Sequence, residues 1–331
     1  MHDGYRLIVS SLQPEIGAST RSGPYTRLRA AVPPGHSRRL QLIKASHENA
    51  MPDSPAADSF LGRLDSAQKR SGSCLCVGLD PDLERMPTVP GAPASATERI
   101  TEFCTAIVAA TSQHACAFKL NLAFFERHGE AGWRALRDTL SVIPRDIPTI
   151  ADAKRGDIGN TAKQYAESLF EHFGFDACTV SPYMGSESVE PFARYAGRGV
   201  FVLCRTSNPS ADEFQLVGDN KPLYVAVAEH AVAWDRRYPA AVGLVVGATQ
   251  PDDLKRLRAM APDLPFLIPG VGAQGGDPQR AVRLAQTRKG RVLVNSSRSI
   301  LYASSGADFA AAAGEQAIRL KKALAVNQVM A

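Results

Sequence analysis

Lys119, Asp152, Lys154 and Asp157 are the residues whose types and spacing could do chemistry. Three of them fall in one run, Thr149-Ile-Ala-Asp152-Ala-Lys154-Arg-Gly-Asp157. Side chains alternate between the two faces of a strand, so Ile150, Asp152 and Lys154 share one face, and Thr149, Ala151 and Ala153 the other. The small alanines suit packing beneath helices, and the Asp-Lys face then points to the opposite side. Gly156 ends the strand and places Asp157 in a turn, from which it can reach over the site or across to a second subunit. Lys119 closes a second strand, Ala117-Phe-Lys119-Leu-Asn121, and shares its face with Asn121. Asp80 ends a first strand, Cys-Leu-Cys-Val-Gly-Leu-Asp80. Ammonium and carboxylate groups that alternate in space hold one another ionised. Buried charges are costly unless paired or functional, which favours a working site over a surface ion pair.

A second group of residues has the chemistry of an anion grip. Gly270, Gly272, Gly275 and Gly276 let backbone amides approach a ligand closely, and Gln274 adds a side-chain donor. Arg298 follows a later strand at the start of a helix, where its planar fork can bind a phosphate.

Eight strand-like runs position these groups: Cys74–Asp80, Ala115–Asn121, Pro148–Lys154, Ala177–Pro182, Gly199–Thr206, Ala240–Thr249, Pro265–Gly272 and Arg291–Ser297. Amphipathic stretches separate most of them, at Ala96–Ser112, Phe124–Val142, Thr161–Phe173, Leu223–Arg237, Pro251–Ala261 and Pro278–Gln286, and Asp308–Val326 closes the chain. The runs begin apolar and end in Gly, Asp, Lys, Asn or Ser. That order predicts a single (β/α)8 TIM barrel over residues 56–331, with its polar site at the C-terminal strand ends. An open doubly wound sheet is the alternative, and the absence of GxGxxG after the first strand counts against it. Thr206–Asn220 is a polar loop long enough to serve as a lid.

The chain also resembles the orotidine 5′-monophosphate decarboxylase family. The resemblance rests on Asp152-Ala-Lys154-Arg-Gly-Asp157-Ile-Gly-Asn-Thr161-Ala, on Val77-Gly-Leu-Asp80 and on Phe118-Lys119-Leu-Asn121-Leu-Ala-Phe-Phe-Glu126. It continues through Val180-Ser181-Pro-Tyr-Met-Gly185, Pro269-Gly-Val-Gly-Ala-Gln274-Gly-Gly276 and Val294-Asn-Ser-Ser-Arg298. It covers roughly residues 56–326 and is nearest to the longer bacterial-type branch. It implies conversion of orotidine 5′-phosphate to UMP and carbon dioxide without a cofactor or metal. Lys154 would donate the proton to C6, Asp152 would sit beside the substrate carboxylate, and Lys119 would bridge Asp152 and the ribose. Asp157 would act in the partner's site of a homodimer. Asp80 would hold a ribose hydroxyl, Ser181 would meet the pyrimidine amide edge, and Asn121 and Thr161 join the expected substrate contacts. Gly272, Gln274 and Arg298 would hold the phosphate. Two other readings stay open: a magnesium-dependent sugar-phosphate enzyme on the same barrel, and a phosphate-binding barrel without catalysis.

Composition sets the remaining bounds. Hydrophobic residues are 44% and charged residues 21% of the 331, as in globular proteins generally. The net charge of +5 is concentrated in residues 1–50, which hold seven Lys/Arg and three acids. The barrel region is near neutral, and no nucleic-acid recognition motif accompanies the excess, so no nucleic-acid partner is expected. No apolar run reaches the roughly 18 residues of a membrane span. The six cysteines lack CxxC spacing and read as buried thiols of a cytoplasmic protein. Cys74 and Cys76 are expected on one strand face. The seven histidines form no ligand-spaced pair. Residues 1–55, with breakers that include Pro14, Pro24, Pro33, Pro34 and Gly35 and with no sustained periodicity, read as a flexible extension or as residues ahead of the true start, Met51 opening the folded segment.

Overall fold

The computed structural model describes residues 55–89, 91, 93–270, 277–287 and 290–325. They belong to one compact unit, Pro52–Ala331. Residues 1–54 of the expected extension, and Gly272 and Gln274 of the expected phosphate grip, lie outside the described residues.

The chain opens with α1 (Phe60–Ser71), then β1 (Leu75–Leu79), α2 (Ala96–Thr111), β2 (Ala117–Asn121), α3 (Ala123–Glu126), α4 (Gly129–Val142) and β3 (Thr149–Arg155). Next come α5 (Gly159–Glu167), β4 (Ala177–Val180), α6 (Glu190–Ala193), β5 (Gly199–Arg205), α7 (Asp212–Gln215), α8 (Leu223–Arg237) and β6 (Ala241–Val246). The last elements are α9 (Pro251–Met260), β7 (Phe266–Ile268), α10 (Pro278–Ala285), β8 (Val292–Ser296), α11 (Arg298–Leu301) and α12 (Phe309–Ala323). The eight strands form a closed parallel barrel in sequence order. Closure is explicit in β1, which pairs with both β2 and β8. This is the expected TIM barrel and excludes the open sheet.

Strand alternation builds two cores. Outward residues such as Leu75, Val77, Leu120, Ala151 and Val200 pack under the helices. Inward residues Cys76, Ala117, Ile150, Ala177, Phe201, Val245, Leu267 and Leu293 fill the barrel. The floor of that interior is α1, at the start of the folded segment. Ser59 caps its N-terminus and Gly72, at φ +64°, its C-terminus. Phe60, Leu64 and Ala67, spaced four and three apart, bury one face. Phe60 meets Phe201 edge to face at 5.7 Å. Burying a Phe or Leu side chain contributes roughly 1.5–3 kcal/mol, so α1 is an anchored plug.

Several boundaries differ from expectation. The stretch Phe124–Val142 is two helices, because α4 starts on Gly129 at φ +59°. The stretch after β3 starts at Gly159, and its last turn, Ser168–His172, widens to a π-helix. Thr206–Asn220 is not plain loop but carries a 3₁₀ turn at Pro209–Ala211 and α7. Cys74 and Cys76 do not share a face: Cys74 precedes β1 and directs its thiol to the Leu324 carbonyl at 3.6 Å, while Cys76 lies inside the barrel. All six cysteines are buried and unpaired. Among the described residues no helix is long and apolar enough to cross a membrane.

Candidate active site

The barrel mouth holds a cleft of about 730 Å³, part of it open to solvent, lined by Asp80, Lys119, Asp152, Lys154 and Thr179 on one side. Pro269, Gly270, Asn295, Ser297 and Arg298 line the other, and Leu203, Val245 and Leu267 form its apolar floor.

Asp152 is the hub. Its Oδ2 accepts a hydrogen bond from Lys119 Nζ at 2.7 Å, and its Oδ1 accepts from Lys154 Nζ and from Thr179 Oγ1, the latter at 3.1 Å. Burial alone would push the Asp152 carboxyl up. The charges and hydrogen bonds of Lys119 and Lys154 outweigh it and hold the group well below the usual carboxylate range. Lys119 shows the mirror image. Burial favours its neutral form, but Asp80 and Asp152 overcome that and raise its affinity for the proton. Its nitrogen is 3.9 Å from Asp80 Oδ1. The two lysines differ in access: the Lys119 side chain is 5% exposed and that of Lys154 49%.

The route by which Lys154 reaches Asp152 departs from simple alternation. Lys154 has φ +46°, the only positive φ of a non-glycine among the described residues. The β3–β4 register shifts between Ala151 and Arg155. Such a bulge re-aims a side chain, and the left-handed backbone costs about 1–3 kcal/mol, a strain typical of functional positions. Lys154 and Asp152 are thus neighbours by way of a kink.

Asp80 leaves one oxygen for a ligand. Its Oδ2 accepts from Ser297 Oγ at 2.6 Å, while the buried Oδ1 has no hydrogen-bond partner. The Oδ1 of Asn295, at the end of β8, is also buried and unpartnered. A Cβ on Gly78 would sit 2.0 Å from Ser297 Oγ, so only glycine lets β8 bring Ser297 this close to Asp80. Arg298 is exposed at the start of α11, and its guanidinium makes no hydrogen bond or ion pair with a described residue. The mouth therefore offers a fixed carboxylate, an accessible ammonium, acceptors for hydroxyl groups and a guanidinium for an anion.

Of the residues expected at the site, Asp80, Lys119, Asp152, Lys154 and Arg298 line this cleft. Asp157, Asn121, Thr161 and Ser181 are not among its lining residues. Asn121 Oδ1 accepts from the Ala123 amide at 3.3 Å, in the turn that leads from β2 into α3. Thr161 is exposed in the first turn of α5. Ser181 follows β4 and its amide donates to the Arg155 carbonyl at 2.7 Å. Asp157 Oδ1 accepts from the Ile158 amide at 2.8 Å and enters no ion pair among the described residues. Thr179, Asn295, Ser297 and Gly78 were not singled out in the sequence. Thr179 and Asn295 continue the inward alternation of Ala177 and Leu293, a signal that was there to use. The Thr206–Asn220 loop is tethered at its root, where buried Arg205 pairs with Asp212 of α7 at 2.8 Å and with Asp253 of α9 at 2.7 Å.

The fold and the cleft together define a TIM-barrel protein with an ionised Lys/Asp cluster at its catalytic face. Residues 73–313 match the family model described as orotidine 5′-phosphate decarboxylase / HUMPS family. The orotidine 5′-phosphate decarboxylase of Thermomicrobium roseum is 52% identical over 268 residues, 80% of this chain and 94% of that protein. The one of Dehalococcoides mccartyi is 46% identical over 271 residues, 80% and 97% respectively. The solved OMP decarboxylase of Leishmania donovani shares the fold at a TM-score of 0.68 with 40% identity, covering 80% of this chain and 98% of its own. The chain belongs to the orotidine 5′-phosphate decarboxylase / HUMPS family.

Proposed function

We propose that the protein is a carboxy-lyase that converts orotidine 5′-phosphate to UMP and carbon dioxide in de novo pyrimidine biosynthesis. The observation that carries this reading is the Lys119–Asp152–Lys154 cluster. It sets an ionised carboxylate and an accessible ammonium side by side at the barrel mouth. When the bond between C6 and the carboxylate breaks, its electron pair stays on C6 and carbon dioxide leaves. The Lys154 ammonium stabilises that charge as it forms and then gives its proton to C6. Asp152, held ionised, faces the reacting carboxylate and repels it. Lys119 fixes Asp152 and reaches toward the ribose.

The remaining contacts follow from the donors and acceptors present. The unpartnered Oδ1 of Asp80 suits a ribose hydroxyl. Arg298, with Gly272 and Gln274, takes the phosphate, and loops after the seventh and eighth strands are the usual phosphate site of barrels. Ser181 serves the pyrimidine amide edge, and Asn121 and Thr161 border the substrate. A divalent cation fits poorly here. Both oxygens of Asp152 are already occupied by cationic or hydroxyl donors, and Lys119 adds a positive charge.

Asp157 acts in the site of a second copy within a two-fold homodimer. The support is the exposed apolar side chains on the two segments that approach at Gly156 and Ser181: Ile158 and Tyr165 on one, Tyr183 and Met184 on the other. Exposed clusters of this kind mark contact surfaces. The six buried free thiols suit the cytoplasm.

Loss of orotidine 5′-phosphate absorbance in the presence of EDTA tests the activity. Turnover should persist in the parent and vanish in Lys154→Ala; a fully active Lys154→Ala overturns the mechanism. Mixed Lys154→Ala and Asp157→Ala chains should recover part of the activity. No recovery despite proven subunit exchange removes Asp157 from its role across the interface.

A further inference from the structure

We propose that Thr179 is a positioning residue for the reaction: its hydroxyl pins the kinked backbone of Lys154 and orients the carboxylate of Asp152, so that ammonium and carboxylate keep the relative placement the chemistry needs. The proposal rests on the reading of Asp152 and Lys154 given above.

The bulge between β3 and β4 creates the need. Between Ala151 and Arg155 the register shifts, and the residues between them lose their regular ladder partners on β4. The Lys154 amide lies in that gap, in a left-handed conformation. It finds its partner in a side chain instead, donating to Thr179 Oγ1 at 2.9 Å. A hydroxyl has one proton and two lone pairs. With a lone pair committed to the Lys154 amide, the Thr179 proton is directed to Asp152 Oδ1, 3.1 Å away. Thr179 is 1% exposed, so its hydroxyl competes with little water for either bond.

Asp152 is consequently held from two sides. Lys119 takes Oδ2, and Thr179 shares Oδ1 with Lys154. Two oxygens with separate fixed donors define the plane of the carboxylate as well as its location. Without the hydroxyl, Oδ1 is held only by the flexible side chain of Lys154, and the partly buried Lys154 amide loses its partner. The strained turn that aims the ammonium is then free to relax. Both effects fall on the placement of the reacting pair. Neither touches Arg298 or Asp80, which carry the binding of phosphate and ribose in the reading above.

The test compares Thr179→Val, which keeps the shape and removes the hydroxyl, with Thr179→Ser, which keeps the hydroxyl. Thr179→Cys serves as a second hydroxyl-free variant should the valine protein fail to fold, and Lys154→Ala is assayed alongside. Thr179→Val should lower kcat about 10- to 100-fold, the scale of one hydrogen bond to an ionised group. KM should stay within about threefold, as expected when only transition-state placement is lost. Thr179→Ser should recover most of the lost kcat. The proposal is overturned if a folded hydroxyl-free variant keeps the parent kcat while Lys154→Ala is inactive. It is equally overturned if KM rises in step with the fall in kcat, or if serine recovers nothing over valine. An active Lys154→Ala instead defeats the underlying mechanism, and the two failures are thereby told apart.

Discussion

Replacing Lys119 by methionine removes the most deeply buried charge of the cluster and keeps most of the side-chain volume. Lys119 is 4% exposed and lies 2.7 Å from Asp152 Oδ2 and 3.9 Å from Asp80 Oδ1. After the substitution Asp152 retains Lys154 and Thr179. Asp80 loses the cation facing an oxygen that has no hydrogen bond. Breaking a buried pair from one side costs about 3–5 kcal/mol, a large part of the roughly 5–15 kcal/mol that holds a domain folded. Lys154→Met removes a half-exposed cation from the same carboxylate and should cost about 0–1 kcal/mol. The pH dependence follows from the directions of the shifts. Folding raises the affinity of Lys119 for its proton. Its contribution is therefore complete below the unfolded value near ~10.4 and is lost as pH climbs through the higher folded value. Asp152 is shifted down. Its contribution is complete above roughly 3.9 and is lost as pH falls through its lower folded value. The gap between parent and Lys119→Met should thus be flat across neutral pH. Urea unfolding followed by the fluorescence of Trp133 and Trp234 measures it. Equal stabilities for the two methionine variants would refute the reasoning, because the contrast rests wholly on burial.

Two further outcomes follow from the same structure. At position 154, glycine should be more stable than alanine by about 0.5–1 kcal/mol, since relief of a left-handed backbone outweighs the extra chain entropy of glycine; denaturant midpoints decide it, and a more stable alanine variant would mean that Lys154 does not hold φ +46° in solution. Burial pushes the thiols of Cys74, Cys76 and Cys104 up to about 12, and all six cysteines are buried. An aromatic disulfide reagent at pH 8 should therefore label none of them in minutes in the native protein and all six in denaturant, and rapid native labelling would contradict the packing.

Much of this architecture was legible because barrel physics repeats. Inward and outward alternation placed Asp80, Lys119 and Asp152 on the interior side, and the apolar-to-polar order of each strand placed them at one mouth. Arg298 was legible from its position just after a strand. The kink at Lys154 was not, because a bulge is a property of two strands and depends on the register with β4. The inward direction of Thr179 is legible from alternation, but its bonding is not, for the same reason: its two bonds join residues of a neighbouring strand, 25 and 27 positions away. The α1 plug carries its spacing openly in Phe60, Leu64 and Ala67. Its partners, Phe201 among them, are distant in sequence, and nothing local announces that a barrel floor needs covering.

The two lysines of the cluster are the same residue type bound to the same carboxylate, and their difference comes from burial and backbone. Lys119 sits on regular strand, nearly sealed, between two aspartates. Moving it would expose two carboxylates to each other in a poorly solvated space, so it stays as a fixed charge. Lys154 reaches the cluster from the solvent side through a strained turn. An incoming carboxylate can compete with Asp152 for its ammonium at little desolvation cost. In the proposed reaction Lys154 gives up its proton and must move relative to the charge that holds it ready, whereas a group that only sets the field must not. The bulge in β3 separates those duties: without it, alternation would set Lys154 two regular residues beyond Asp152, on strand like Lys119. The bulge lies in the backbone, so its support should come from side chains that bond to that backbone, and among the described residues the Thr179 hydroxyl does so at Lys154.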